Sequence, residues 1–122
     1  MAIERLQALI SDFASERDWH QFHTPKNLVM ALTGEVGELS EIFQWLTPQQ
    51  STAITADPQG RSRVEEELAD VFIYLLRLAD VLQVDLVAAA EAKIRANEQR
   101  YPAELARGRA VKHSELRREV TP

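Results

Sequence analysis

Apolar residues recur along this chain in steps of three and four, the spacing of one helix face, and over no useful length do they alternate in twos. Ile3, Leu6, Leu9, Ile10 and Phe13 predict a first helix over about residues 2–17. Thr24 followed by Pro25 reads as an N-cap and a first-turn proline. They open a second helix reaching about Leu46, with the stripe Leu28, Leu32, Leu39, Ile42 and Leu46. Thr47, Pro48, Asp57, Pro58 and Gly60 punctuate residues 47–60, which predicts a loop with room for one short helical turn. Val64, Leu68, Val71, Leu75, Leu78 and Leu82 predict a third helix from about Ser62 to Leu82. Asp85 caps a fourth, which ends before Pro102. Periodicity then weakens, predicting a mostly irregular tail over 102–122. The expected fold is all-α: a four-helix bundle with its helical core over about residues 2–101, in a single domain spanning 1–122.

The third helix carries a further implication. Val71 to Leu76 is apolar or aromatic on every face, and a helix of that kind must be covered all round. Three neighbours in a small bundle cover it poorly, and a second copy of the chain covers it better. A helix simply central to its own bundle is the plainer alternative.

Composition narrows the class. With 45% hydrophobic and 27% charged residues, the chain is neither fibrous nor wholly disordered. The net charge of −5 argues against a nucleic-acid partner. That charge is unevenly spread: residues 1–99 hold 8 basic and 16 acidic side chains, and residues 100–118 hold 6 and 2. A basic tail beside an acidic body suits an anionic ligand. The absence of cysteine excludes disulfides, thiol nucleophiles and zinc–thiolate sites. Glu4, Arg5 and Asp12 break up any apolar leader, and no apolar run approaches the roughly 20 residues that span a bilayer. A cytoplasmic protein without a membrane partner is expected.

Candidate chemistry lies in the acids. Glu35 and Glu38 are three apart on the second helix, and Glu67 and Asp70 are three apart on the third. Each pair therefore shares a helix face. Glu35 falls in phase between Leu32 and Leu39, and Glu67 and Asp70 flank the Leu68/Val71 seam. Carboxylates so placed point at or beside the core, where they repel one another and need either basic partners or a metal. All-oxygen ligands suit a hard cation, Mg²⁺ or Mn²⁺. Solvated helix-face acids are the plain alternative, and Glu41, Glu65 and Glu66 are read that way. Gly34 and Gly37 flank Glu35 inside a helix, each at a cost of about 1 kcal/mol relative to Ala, which predicts close approach by another helix or by ligand phosphates.

The pattern Glu35-Val-Gly-Glu38, 28 residues, then Glu67-Leu-Ala-Asp70 resembles the metal motif of the MazG-like all-α nucleotide pyrophosphohydrolases. Further segments resemble the dCTP pyrophosphatase branch: Arg17-Asp-Trp19-His-Gln-Phe22-His23, Phe43-Gln-Trp45, Ile73-Tyr74-Leu75 and Gln99-Arg-Tyr-Pro102. The likeness extends over about residues 5–116. It implies a bundle assembling as a dimer or a dimer of dimers, and an enzyme that cleaves a nucleoside triphosphate between the α and β phosphates. It also implies Mg²⁺ on Glu35, Glu38, Glu67 and Asp70, and a base and sugar enclosed by Trp19, Phe22, His23, Trp45 and Tyr74. Some relatives carry a histidine where this chain has Ile10, which leaves the base preference open.

The residues themselves agree with that implication. Two tryptophans and a tyrosine, in a chain with eight aromatics, can form a slot that stacks a base, with Trp45 as the main wall. Ordinary core packing is the alternative. Lys93, Asn97 and Tyr101 follow at four-residue steps on the fourth helix, with Arg100 adjacent and Arg107 and Lys112 in the tail. These groups could bind phosphates. The expected function is Mg²⁺-dependent hydrolysis of dCTP, and of its 5-modified forms, to dCMP and pyrophosphate in nucleotide-pool sanitation. A broader or dUTP-directed pyrophosphohydrolase and a non-catalytic helical nucleotide-binding module are the alternatives.

Overall fold

The computed structural model describes residues 1–120. Helix α1 (Ala2–Glu16) ends where Asp18 takes a left-handed φ of 54°. The Asp18 and Trp19 N–H groups then turn back onto the Ser15 and Ala14 carbonyls, at 3.1 and 2.9 Å. Aspartate tolerates that conformation better than most residues. A single 3₁₀ turn (His20–Phe22) leads to the Thr24 cap, whose hydroxyl accepts the Asn27 N–H at 3.2 Å, and to α2 (Pro25–Phe43).

Helix α2 stops three residues short of the expected Leu46. The expected loop is itself largely helical: α3 (Pro48–Ala53) carries a reciprocal cap between Thr47 and Gln50 and runs into a 3₁₀ turn (Ile54–Ala56). Helix α4 (Pro58–Val81) starts four residues before the expected Ser62. Asp57-Pro58 is the same cap–proline start as Thr24-Pro25, and Asp57 accepts the Gly60 N–H at 3.1 Å. Helix α5 (Leu86–Arg100) is capped by Asp85, as expected. The tail is more regular than its periodicity suggests, with α6 (Ala103–Ala106) and α7 (His113–Val120). Among the described residues there is no strand, so the fold is all-α.

The chain divides into two compact units, Met1–Val84 and the residues from Asp85 onward. Of the four long helices, α1, α2 and α4 therefore share the first unit and α5 belongs to the second. In the first unit α2 and α4 lie along one another, and α1 packs on α4. Ala14, Leu28, Ile42, Val64, Leu76 and Ala79 form its buried core. The apolar stripe of α4 is displaced from the expected one. Leu68 is 50% exposed, whereas Leu76 and Ala79 are buried. Besides α2, α4 packs on α1 and on the 3₁₀ turn Ile54–Ala56, and on the α1 side the Leu76 carbonyl accepts from Gln7 at 3.1 Å. In the second unit Leu116 is buried and the Tyr101 ring meets His113 edge-on at 6.0 Å.

Among the described residues no other helix makes the expected close approach at Gly34 and Gly37, since a Cβ at either would meet nothing within 4 Å. At Gly60 the space is closed. A Cβ there would fall 2.5 Å from the Ile54 carbonyl oxygen and 3.1 Å from Ile54 Cγ1. Gly60→Ala should destabilise the protein by about 1–3 kcal/mol through overpacking. Gly34→Ala should stabilise it by roughly 1 kcal/mol through helix propensity. Urea midpoints at unchanged slope measure both, and equal shifts of the two would refute the packing assigned to Gly60.

Candidate metal centre

The packing of α2 on α4 brings the acids of the two helices face to face. One carboxylate oxygen from each of Glu35, Glu38 and Glu67 lies within 4.8 Å of the others. Glu35 and Glu67 are half-buried and Glu38 is exposed. Oε2 of Glu35 and Oε2 of Glu67 are each buried without a hydrogen-bond partner. Burial pushes the Glu35 carboxyl up to about 7, and Glu38, then the Asp70 charge and Glu67, add to the effect. Burial also raises Glu67, with Glu38 and Asp70 contributing. Three of the four expected ligands thus converge, and the fourth, half-buried Asp70, acts on the others through its charge. Rather than flanking an apolar seam at Leu68, the acids of α4 are themselves on its half-buried side.

Neighbouring cations are engaged elsewhere: Arg61 pairs with Glu65 at 2.9 Å, and Arg77 with Asp80 at 3.7 Å. Orphaned carboxylate oxygens of like charge, gathered from two helices, are the donor set of a hard divalent cation. Glu41, Glu65 and Glu66 are exposed, as surface acids should be.

Trp19, Phe22 and His23 all belong to the connection between α1 and α2. Trp19 sets its ring edge-on to Phe13 at 5.7 Å, Phe22 is exposed and His23 is half-buried. Tyr74 is half-buried one turn beyond Asp70 on α4. Trp45, just past the end of α2, is 87% exposed, so the described residues form no slot around it. Lys93, Asn97, Arg100, Tyr101 and Lys112 belong to the second unit, where Lys93, Arg100 and Lys112 are exposed and Asn97 is half-buried. The Asn97 carbonyl accepts the Tyr101 N–H at 2.7 Å.

Two groups escaped sequence reasoning. Arg77 is buried, its Nε donates to His23 Nδ1 at 3.1 Å, and its Nη2 bonds His20 Nδ1. The signal was present: Arg77 stands seven residues beyond Asp70, a spacing that returns to the same helix face. His20, although exposed, is tied to it.

Residues 31–116 match the MazG-like family. The chain is 47% identical to dCTP pyrophosphatase 1 of Rattus norvegicus over 116 residues, covering 95% of this chain and 68% of that protein. It is 48% identical to dCTP pyrophosphatase 1 of Homo sapiens over 114 residues, covering 93% of this chain and 67% of that protein. A solved pyrophosphatase from Archaeoglobus fulgidus superimposes with a TM-score of 0.78 at 39% identity, covering 84% of this chain and 94% of that one.

A testable consequence follows for stability. A carboxyl raised from 4.5 to about 7 holds a proton in the folded state that the unfolded chain releases. Its contribution to metal-free stability is therefore fully present below pH 4.5 and lost as pH rises to about 7. Burial and the Arg77 charge lower His23, which works in the opposite sense, so the comparison is between wild type and Glu35→Gln. The difference in melting temperature should grow in favour of Glu35→Gln across that window and reverse when Mg²⁺ is added. Parallel pH profiles would refute the raised carboxyl.

Proposed function

The chain belongs to the MazG-like family and is a nucleoside triphosphate pyrophosphohydrolase, and we propose that it hydrolyses dCTP and 5-modified dCTP to dCMP and pyrophosphate with Mg²⁺. The observation that carries this reading is the cluster of Glu35, Glu38 and Glu67 with its two unpartnered buried oxygens. Glu35, Glu38, Glu67 and Asp70 would hold the ion, and all four supply oxygen ligands. Bound there, Mg²⁺ supplies positive charge for phosphate oxygens and lowers the pKa of a coordinated water.

The chain's own groups bind and orient the substrate. Water attacks phosphorus, the bond between the α and β phosphates breaks, pyrophosphate leaves, and the water's proton passes to a carboxylate. Trp19, Phe22, His23, Trp45 and Tyr74 are assigned to the base and sugar. Lys93, Asn97, Arg100, Tyr101 and Lys112 are assigned to the phosphates. A nucleotide-pool role in the cytoplasm and one functional domain over 1–122 complete the reading. No helix of the described residues is long and apolar enough to cross a membrane.

We propose that the chain works as a homo-oligomer, a dimer or a dimer of dimers. Leu9, Phe13, Met30, Phe72 and Ile73 are all exposed in the single chain, as is Trp45. Large apolar side chains gathered on one small unit are the mark of a surface that another copy covers. That cover would also supply the enclosure Trp45 lacks.

Substrate choice is tested with a panel of nucleoside triphosphates and Mg²⁺, the products resolved by chromatography. dCTP should be turned over ahead of dUTP and dTTP, and well ahead of dATP and dGTP, because a site built for the cytosine amine is left unpaired by other bases. Glu38→Gln and Asp70→Asn should abolish turnover and keep the helical spectrum. Equal kcat/KM for dGTP and dCTP, or full activity in either variant, would overturn the assignment. Light scattering tests assembly: wild type should weigh at least twice 13.8 kDa. Ile73→Asp, which sets a charge in a dry contact, should lose that mass or aggregate. A fully active monomer would refute it.

A further inference from the structure

Arg77 is a cation sealed into the first unit, with 6% of its surface exposed. Its Nη1 pairs loosely with Asp80 at 3.7 Å, while Nε and Nη2 are spent on two neutral acceptors, Nδ1 of His23 and Nδ1 of His20. A guanidinium only donates. Both imidazoles must therefore offer a lone pair at Nδ1, which leaves the ring proton on Nε2 in each. That excludes the imidazolium form of either ring, since both of its nitrogens are donors. Burial and the Arg77 charge push the His23 ring in the same direction, toward neutrality.

The placement gives this bridge its meaning. His20 opens the 3₁₀ turn after Trp19 and His23 closes it. That connection is short of helix hydrogen bonds and is held by side chains: Asn27 donates to the Phe22 carbonyl at 3.0 Å, and Gln21 to the Asp18 carbonyl at 3.0 Å. Both of those ties are local, whereas Arg77 reaches across 54 and 57 residues of sequence to α4. On α4, Glu67, Asp70, Tyr74 and Arg77 follow in steps of three, four and three, which keeps them on one stripe. Asp70 to Arg77 is a rise of roughly 10 Å. That is comparable to the reach from a nucleotide's α-phosphate across its sugar to the base.

We propose that Arg77 is a positioning residue: its guanidinium fixes His20 and His23 as neutral rings protonated on Nε2 and pins the Trp19–His23 segment to α4 at the base end of the nucleotide site. The last clause rests on the functional reading above; the tautomers do not. With Nδ1 of His23 turned onto Arg77, Nε2–H on the other side of the ring is a fixed donor. It suits an acceptor on the substrate, such as a pyrimidine carbonyl or a sugar oxygen.

Long-range proton–nitrogen correlation spectra of the whole, substrate-free protein at neutral pH test the tautomers. His113→Gln removes the third ring and simplifies assignment. Both remaining histidines should show a bare Nδ1 and a protonated Nε2, and Arg77→Lys or Arg77→Met should convert them to mixtures. A proton on Nδ1 of either ring in wild type overturns the proposal, and this holds even if the variants fail to fold. The positioning role is read from kinetics on dCTP. Arg77→Lys should raise KM by about tenfold, the scale of a lost hydrogen bond to a charged group, with kcat changed less than about threefold. An unchanged KM beside altered tautomers overturns the link to the substrate site. A wild type that turns over no nucleotide sinks the functional reading and the base-end clause with it, whatever the tautomers show.

Discussion

Like charge held between two packed helices is the constraint on which the rest of this structure turns. Helices α2 and α4 pack along one another, with Leu28 and Ile42 of α2 and Val64 of α4 buried, and the same pairing brings Glu35, Glu38 and Glu67 together. Other devices of the first unit stabilise the two helices that carry these acids. Side-chain caps start both helices, Gly60 lets α4 begin tight against the Ile54 carbonyl, and α1 covers the flank at Leu76. The protein is thereby held in a state that its acids disfavour, a compromise typical of functional sites. The cluster answers with carboxyls held above their ordinary range, Glu35 up to about 7 and Glu67 raised beside it.

Much of this was legible in the chain. Steps of three and four located all four long helices, because such spacing maps directly onto a helix face. The acidic pairs were legible for the same reason, since i and i+3 share a side. What periodicity does not carry is the identity of the neighbour. Leu68 and Leu76 are equally apolar, and only the position of α1 makes one exposed and the other buried. Asp57-Pro58 was open to two readings because cap and turn use the same residues. The helix at 113–120 contains few apolar groups, and its order escaped a reading based on stripes. Gly34 and Gly37 suggested close approach by another helix or by ligand phosphates, and among the described residues no helix approaches them.

The candidate site divides along the same line. Its carboxylates come from two helices whose mutual packing follows from their stripes, so they could be anticipated. The aromatic residues come from a connection and from a helix end, where side-chain direction depends on turns rather than on period. Arg77 illustrates the difficulty most plainly. Its spacing from Asp70 gives its helix face, but its hydrogen-bond partners are histidines 54 and 57 residues away in sequence.

The two tryptophans stand in unequal surroundings. Trp45 is bathed in solvent at 87% exposure, while Trp19 is half as exposed and rests edge-on against Phe13. An indole in water emits further to the red than one shielded by hydrocarbon. The chain therefore carries a built-in optical gauge: its intrinsic fluorescence is dominated at the long-wavelength edge by one residue, and whatever comes to lie over Trp45 announces itself as a blue shift without any label.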